Sequence, residues 1–261
     1  MSMRIITNAD DFGMDEDTVR ATIECLEAGA LTSATIMPSM PGTALAAEYA
    51  KAHPEKSFGA HLTYVTDTVE APLCDAATLP TLASPDGKFL ESQTTRLNAM
   101  RNRIAVEEIE RETAAQLQRL LDLGVRLSHV DSHGHLHKFR PFREALANVL
   151  PRFGITRVRN VQNVYLKKPF KSPTFWLGRW WRARIMKRFD TTADFFMPQS
   201  ESLDTSWTTR LLERPARAAT MEVGVHPGYR EPWRDAERRA ITEFAAQARR
   251  AGHALIGWRD L

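Results

Sequence analysis

The residues best equipped for chemistry lie in the stretch His129-Val130-Asp131-Ser132-His133-Gly134-His135-Leu136-His137, which holds four of the chain's eight histidines. Neutral imidazoles and a carboxylate this close together each offer a lone pair without large rearrangement, which suits a divalent metal ion. A solvated polar loop is the bland alternative. Val125, Leu127 and Val130 follow the turn signal Gly124. They predict a short strand that ends near Asp131 and delivers His133, His135 and His137 to a strand-to-helix junction.

A second concentration is Asn8-Ala9-Asp10-Asp11-Phe12-Gly13, after the β-type run Arg4 to Asn8. Two adjacent aspartates after a buried strand are costly unless their charge is compensated. A metal compensates directly and can hold one while leaving the other as a base. The alternative is a helix N-cap with a first-turn acid. His61 ends the predicted strand Ser57 to Thr63, and His226 ends Thr220 to His226, before Pro227-Gly228. A lone histidine at such a place is more often structural. Arg157-Val158-Arg159-Asn160 closes a predicted strand from Ile155. One arginine turned into a site would hold an anion or a carboxylate base; both arginines in solvent is the equal alternative.

The elements that must position these residues alternate strand and helix. Helices are expected at about Asp17–Ala28, Gly42–Ala52, Ile104–Leu123, Pro141–Phe153, Ser206–Leu212 and Arg234–Ala251, with further strands at Ser33–Met37 and Ala254–Trp258. In the helix Ile104–Leu123, Ile109, Leu117, Leu120 and Leu121 read as the inward face, and Glu107, Glu108, Glu110, Arg111 and Arg119 as the wet face. Residues 64–100 have no clear periodicity, and an excursion of that length is usually a lid or binding loop. Residues 161–200 are the other irregular part. Within them Leu177, Trp181, Ile185 and Phe189 recur every four residues among five basic residues, predicting a basic helix over 175–189. That helix either packs on the domain or meets an anionic membrane surface or lipid-linked substrate.

Seven or eight strands in this alternation predict an α/β fold: a distorted (β/α) barrel of mostly parallel strands in one domain, 1–261. The C-terminal strand ends of such a barrel converge, so Asp10, Asp11, His61, His133 and His226 would share one face. An open doubly wound sheet would need a glycine-rich loop after the first strand, and Asn8 to Gly13 is not one.

Composition bounds the rest. There is no apolar run long enough for a transmembrane helix and no signal-peptide pattern, and Cys25 and Cys74 make neither a disulfide framework nor a cysteine metal site. A cytoplasmic location is expected, with peripheral membrane contact the variant. Lysines and arginines number 35 against 32 acids, and eight of the basic residues fall in 167–188, where there is no acid. The basic character is therefore a local patch, which argues against a nucleic-acid-binding protein. A homodimer is the base-rate expectation.

Four motifs, Asn8-Ala9-Asp10-Asp11-Phe12-Gly13, Gly59-Ala60-His61-Leu62-Thr63, His129-Val130-Asp131-Ser132-His133 and Val225-His226-Pro227, come in the order found in the YdjC/ChbG-type carbohydrate deacetylases, which the chain resembles from Arg4 to about Gly257. That family includes the hopanoid-associated, HpnK-like deacetylases. The resemblance implies a distorted (β/α) barrel, one divalent metal and hydrolysis of an acetamide on a sugar. It implies Asp11, His61 and His133 as metal ligands, Asp10 as base and His226 as acid. Zn or Mg lead as the metal, with Mn, Co and Ni open. Arg159 and His137 are candidate substrate contacts, and the substrate would be an N-acetylated sugar, oligomeric or lipid-linked. One departure is Gly134, where many relatives carry histidine. Two other readings stand beside this one. The spacings His133-Gly134-His135 and His135-Leu136-His137 fit a metal-dependent phosphoesterase with more than one metal. A non-enzymatic membrane- or glycan-binding protein would use the 167–188 basic helix.

Overall fold

A computed structural model describes residues 2–67, 69–166, 173–199, 201–215 and 218–261. Lys167, Lys168 and Lys171 of the basic patch lie outside the described residues. In chain order the main elements are β1 (Arg4–Phe12), α1 (Glu16–Glu27), β2 (Ser33–Ile36), α2 (Thr43–Ala52), β3 (Ser57–Leu62), α3 (Ser92–Met100), α4 (Val106–Asp122), β4 (Leu127–Ser132), α5 (Arg140–Val149), α6 (Pro173–Arg188), β5 (Asp194–Phe196), α7 (Trp207–Leu212), β6 (Thr220–Val225), α8 (Pro232–Arg250) and β7 (Ala254–Leu255).

Every strand pairing is parallel, in the order β4-β3-β2-β1-β6-β5, and β7 pairs with the start of β1. The sheet curls back on itself. Single parallel bridges join Val130 to Val158 and Arg157 to Asp190, so the 157–159 segment links β4 to the chain that enters β5. This is the distorted (β/α) barrel the alternation predicted. The expected strand Ile155–Asn160 is reduced to these isolated bridges, and the last strand stops at Leu255 because Trp258 enters a 3₁₀ turn.

The strand faces explain the core. Parallel strands covered on both sides read as continuous buried runs, and β1, β2 and β3 are buried throughout apart from Arg4. The inside of the barrel is polar, with Asn8, Asp10, Ser33, Thr35, His61, Asp131, Arg159 and Glu222 all buried. Hydrogen bonds run between them: Ser33 Oγ donates to Asn8 Oδ1 at 2.7 Å, and Asn8 Nδ2 donates to Asp10 Oδ1 at 3.0 Å. The outer faces of the strands, with Ile5 and Ala9 on β1, pack in the apolar core with α1, α2, α4, α5 and α8. One layer below Asp131, His129 stacks on the fully buried Trp258 at 4.6 Å. Burial holds its imidazole well below the usual histidine range, so this member of the histidine cluster is a neutral core residue.

The 64–100 excursion is more ordered than its lack of periodicity implied. It contains α3, Phe89 is buried, and three polar side chains of α4 hold it. Glu108 accepts from Thr81, Glu112 from the Leu73 and Cys74 amides, and Gln116 bonds both main-chain groups of Thr63. Glu108 therefore faces inward, not to water, while Leu121 is 38% exposed. Unmet loop amides outrank helical periodicity at these positions. In 161–200, α6 and the unanticipated β5 supply the order. The inward side of α6 is Phe175, Gly178, Trp181 and Ile185; Leu177 points out.

Candidate metal centre

The paired aspartates reach one site because β1 is irregular where they sit. Side chains alternate along a strand, so Asp10 follows Ile6 and Asn8 inward and Asp11 would point away. The β1–β2 register shifts between Ala9 and Phe12, and Asp11 adopts φ 57°, the left-handed region. That conformation costs a non-glycine residue on the order of 1–3 kcal/mol, and it turns the second carboxylate into the same site.

Two imidazoles converge on it. His61 Nε2 lies 3.3 Å and His133 Nδ1 3.2 Å from Asp11 Oδ1. Donor atoms of Asp11, His61 and His133 all lie within 4.8 Å of one another. Asp131, directly across the β3–β4 register from His61, accepts from His61 Nδ1 at 2.7 Å. A carboxylate on the far nitrogen leaves Nε2 free as a ligand and fixes the ring, as in carboxylate–histidine–metal arrangements. Asp67, from the 64–100 excursion, lies 2.9 Å from His133 Nε2 in the same manner.

Arg159 is fully buried among three carboxylates. Its guanidinium bonds Asp10 at 2.5 and 2.7 Å, Asp131 at 2.6 Å and Glu222 at 2.8 Å. All its nitrogens are engaged, so it holds Asp10 and Asp131 from beneath. This corrects the expectation that Arg159 touches substrate and selects the carboxylate-holding alternative. Arg234, from α8, donates to Asp11 Oδ2 at 2.8 Å.

Asp10, Asp11, Asp131 and Glu222 are buried and meet two guanidiniums, Arg159 and Arg234, so the site attracts further positive charge. The protonation pattern reflects this. Burial alone would depress His61, yet Asp131, Asp11 and Asp10 lift it to about 10; burial is likewise overcome at His133, lifted to about 9 by Asp11 and Asp67. Burial pushes Glu222 up to about 7, with Arg159 opposing. Despite burial, Arg159 holds Asp10 well below the usual carboxylate range. One carboxylate and two imidazoles whose donor atoms lie within 4.8 Å of one another fit a divalent ion. A second group, Asp10, His61 and Asp131, has its carboxylates bridged by Arg159 Nη1, so a guanidinium already occupies the cation position.

His226, at the end of β6, is tied to α8. Its amide donates to Glu237 Oε2 at 2.6 Å, and its Nδ1 lies 3.2 Å from the same oxygen. Burial works to lower its pKa, but Glu237, Asp11 and Asp10 raise it, which favours an imidazolium facing the aspartates.

His135 and His137 belong to neither ligand group. His137 is buried, bonded through Nδ1 to Ser132 Oγ at 2.8 Å, and pushed down to about 3 by burial. Its Nε2 is unpartnered, and both histidines line a cavity of about 340 Å³ with Arg96, Lys138, Tyr165 and Trp181. The Arg96 guanidinium fills the space a Cβ at Gly134 would need, 2.7 Å away, and Gly134 has φ 63°. A histidine there would be strained by that left-handed backbone, whereas Arg96, met at the end of a flexible side chain, could move aside. Glu222, Arg234, Glu237 and Asp67 were not singled out from sequence. Asp131 was read there as the carboxylate of the histidine cluster, without a role of its own.

A model of YdjC-like proteins matches residues 4–254. The chain belongs to the YdjC-like family. A carbohydrate deacetylase of Geobacillus stearothermophilus is 30% identical to this YdjC-like chain over 86% of it and 79% of the relative. A carbohydrate deacetylase of Listeria monocytogenes is 37% identical over 139 residues, 53% of each protein. Among solved structures, an Enterococcus faecalis protein with a proposed role in cellobiose-phosphate cleavage superposes with a TM-score of 0.82 at 20% identity, covering 100% of this chain and 99% of the other. A lactam utilization protein of Thermus thermophilus gives a TM-score of 0.54 at 16% identity, covering 98% and 100%. These two likenesses establish the fold.

Proposed function

We propose that this YdjC-like chain is a metal-dependent carbohydrate deacetylase that removes the acetyl group from an N-acetylated sugar. The observation that carries this reading is the convergence of Asp11, His61 and His133 beside a separately held Asp10. Asp11, His61 and His133 would hold one divalent ion. Such an ion supplies Lewis acidity for an amide carbonyl and acidifies water. Imidazole donors favour Zn, Co or Ni over Mg or Mn.

Asp10 is the general base in this reading. It stays ionised because Arg159 and Asn8 bond it, and it is not needed as a ligand. It accepts the proton of the attacking water. His226, kept protonated by Glu237, donates to the departing amine, a poor leaving group unless protonated. Arg159, Asp131 and Glu237 position these groups and do not meet the reacting atoms. His137 and its cavity are the proposed contact for the sugar. The two free cysteines suit a reducing cytoplasm.

The phosphoesterase alternative loses support because, among the described residues, His135 and His137 join no ligand group. Acetate release from a panel of N-acetylated sugars, soluble and lipid-linked, tests the proposal. Chelated protein should be inactive, and one equivalent of a single metal should restore it. Phosphate release from phosphate esters without any acetate release, or a requirement for two metals per chain, would overturn it.

A further inference from the structure

Helix α6 is apolar on two sides, and only one of them packs within the fold. Inward, Ile185 is fully buried, Trp181 meets Phe139 edge-on at 5.1 Å, and Arg182 donates to the Ala193 carbonyl. Outward, Trp176, Leu177 and Trp180 are 55%, 43% and 46% exposed. At 3.6 residues per turn, Trp176, Trp180, Arg184 and Lys187 form one ridge opposite Ile185. Cations flank the rings: Arg179 lies 5.3 Å from the Trp176 ring, and Arg184 4.9 Å and Arg143 5.8 Å from the Trp180 ring. The helix has no acidic residue.

Single exposed apolar residues are ordinary, but a row of tryptophans interleaved with cations is not. Tryptophan partitions to the headgroup level of a bilayer, where its ring is half apolar and its N–H stays wet. Lysine and arginine beside it gain from anionic headgroups and lay their stems along the same surface. The ridge runs along a convex helix, a shape that meets a plane over its whole length. No helix among the described residues is long and apolar enough to cross a membrane, so the contact would be peripheral.

We propose that the outward ridge of α6 docks this protein on an anionic lipid bilayer, with Trp176 and Trp180 inserted among the headgroups and Arg179, Arg184 and Lys187 bound to lipid phosphates. The docking rests on α6 and stands or falls independently of the deacetylase reading. The inward side of the same helix lines the cavity of His135 and His137 through Gly178 and Trp181. Docking therefore brings that cavity close to the membrane plane.

The test is flotation of the full chain with vesicles of phosphatidylcholine alone or mixed with phosphatidylglycerol, at low and high salt, with tryptophan quenching by brominated lipid. The expected result is binding to the anionic vesicles only, weakened by salt, with tryptophan quenched. Neutralising each cation should weaken partitioning by about fivefold, so that Arg179→Gln, Arg184→Gln and Lys187→Gln together cost on the order of a hundredfold. Trp176→Ser with Trp180→Ser should remove the quenching. Thermal melting of each variant, with binding compared well below its melting temperature, separates docking from unfolding, because Trp176 and Trp180 are about half buried. No binding at low salt, equal binding to neutral vesicles, or binding that survives both variants would overturn the proposal. So would lipid-free self-association that buries α6, which would assign the ridge to a second copy of the chain.

Discussion

Replacing Asp131 by asparagine tests the logic of the site through one proton. The wild-type carboxylate takes His61 Nδ1–H on Oδ1 at 2.7 Å and the Thr35 hydroxyl at 3.1 Å on Oδ2, and Oδ2 is also ion-paired with Arg159 Nη1 at 2.6 Å. Asparagine has nearly the same shape but one oxygen and one NH₂. If its oxygen faces His61, the NH₂ lies against an arginine N–H, two donors in contact in a buried site. If its oxygen faces Arg159, the NH₂ faces His61 Nδ1, which must then accept. The second arrangement keeps every hydrogen bond and should win. It takes the proton from His61 Nδ1 and leaves one on Nε2, the atom aimed at Asp11, where a protonated nitrogen has no lone pair for a metal. Loss of such an orienting carboxylate typically costs 10- to 100-fold in metal affinity, about 1.4–2.7 kcal/mol. Calorimetric titration of chelated Asp131→Asn with Zn should show that loss. Long-range ¹H–¹⁵N spectra of the chelated protein should show His61 Nδ1 protonated in the wild type, where the aspartates favour the imidazolium, and deprotonated in Asp131→Asn. Unchanged metal affinity together with a deprotonated Nδ1 would refute the role of His61 as a ligand. A protonated Nδ1 in the variant would refute the hydrogen-bond argument.

Three further outcomes follow from the same geometry. Asp10→Asn should keep the metal and lose turnover by a factor on the order of 10² or more, whereas Asp11→Asn should lose the metal; equal metal loss in both, by calorimetry, would break the division of roles. Arg159→Met leaves Asp10, Asp131 and Glu222 buried without their cation, and urea unfolding should show a loss of about 3–5 kcal/mol. Glu222 binds a proton more tightly folded (about 7) than unfolded (4.5), so the folded state carries the extra proton between those values and its stability falls as pH rises across that window. For chelated protein, the stability of wild type relative to Glu222→Gln should drop by on the order of 3 kcal/mol from pH 4.5 to 7, and a flat difference would show that Glu222 ionises normally.

Much of the fold was legible because it rests on local rules. Strand and helix alternation, the turn glycines and the amphipathic helices marked most elements within a few residues. The misses have physical causes. β5 is three residues long and α3 carries little apolar periodicity, so neither leaves a pattern. On α4, Glu108 was read as solvated because charge usually is, yet it is drawn in by the Thr81 amide and hydroxyl. On α6, four-residue spacing grouped Leu177 with Trp181 and Ile185, but apolar residues on both sides left the buried face open, and Leu177 is exposed.

The sequence by itself determined which residue types could act and that parallel strand ends would bring them together. Asp10, Asp11, His61, His133 and His226 were recognisable because each closes a strand, and in a barrel those ends share a face. Tertiary structure alone decided what each of them touches. Adjacent Asp10 and Asp11 look equivalent in sequence. They differ because a shift in β1 register turns Asp11 toward two imidazoles while Arg159, 149 positions away, takes Asp10. Arg159 itself was equally readable as a surface residue, a substrate contact or a clamp. Its burial among three carboxylates settles that, because charge compensation depends on distance in space and not on separation along the chain.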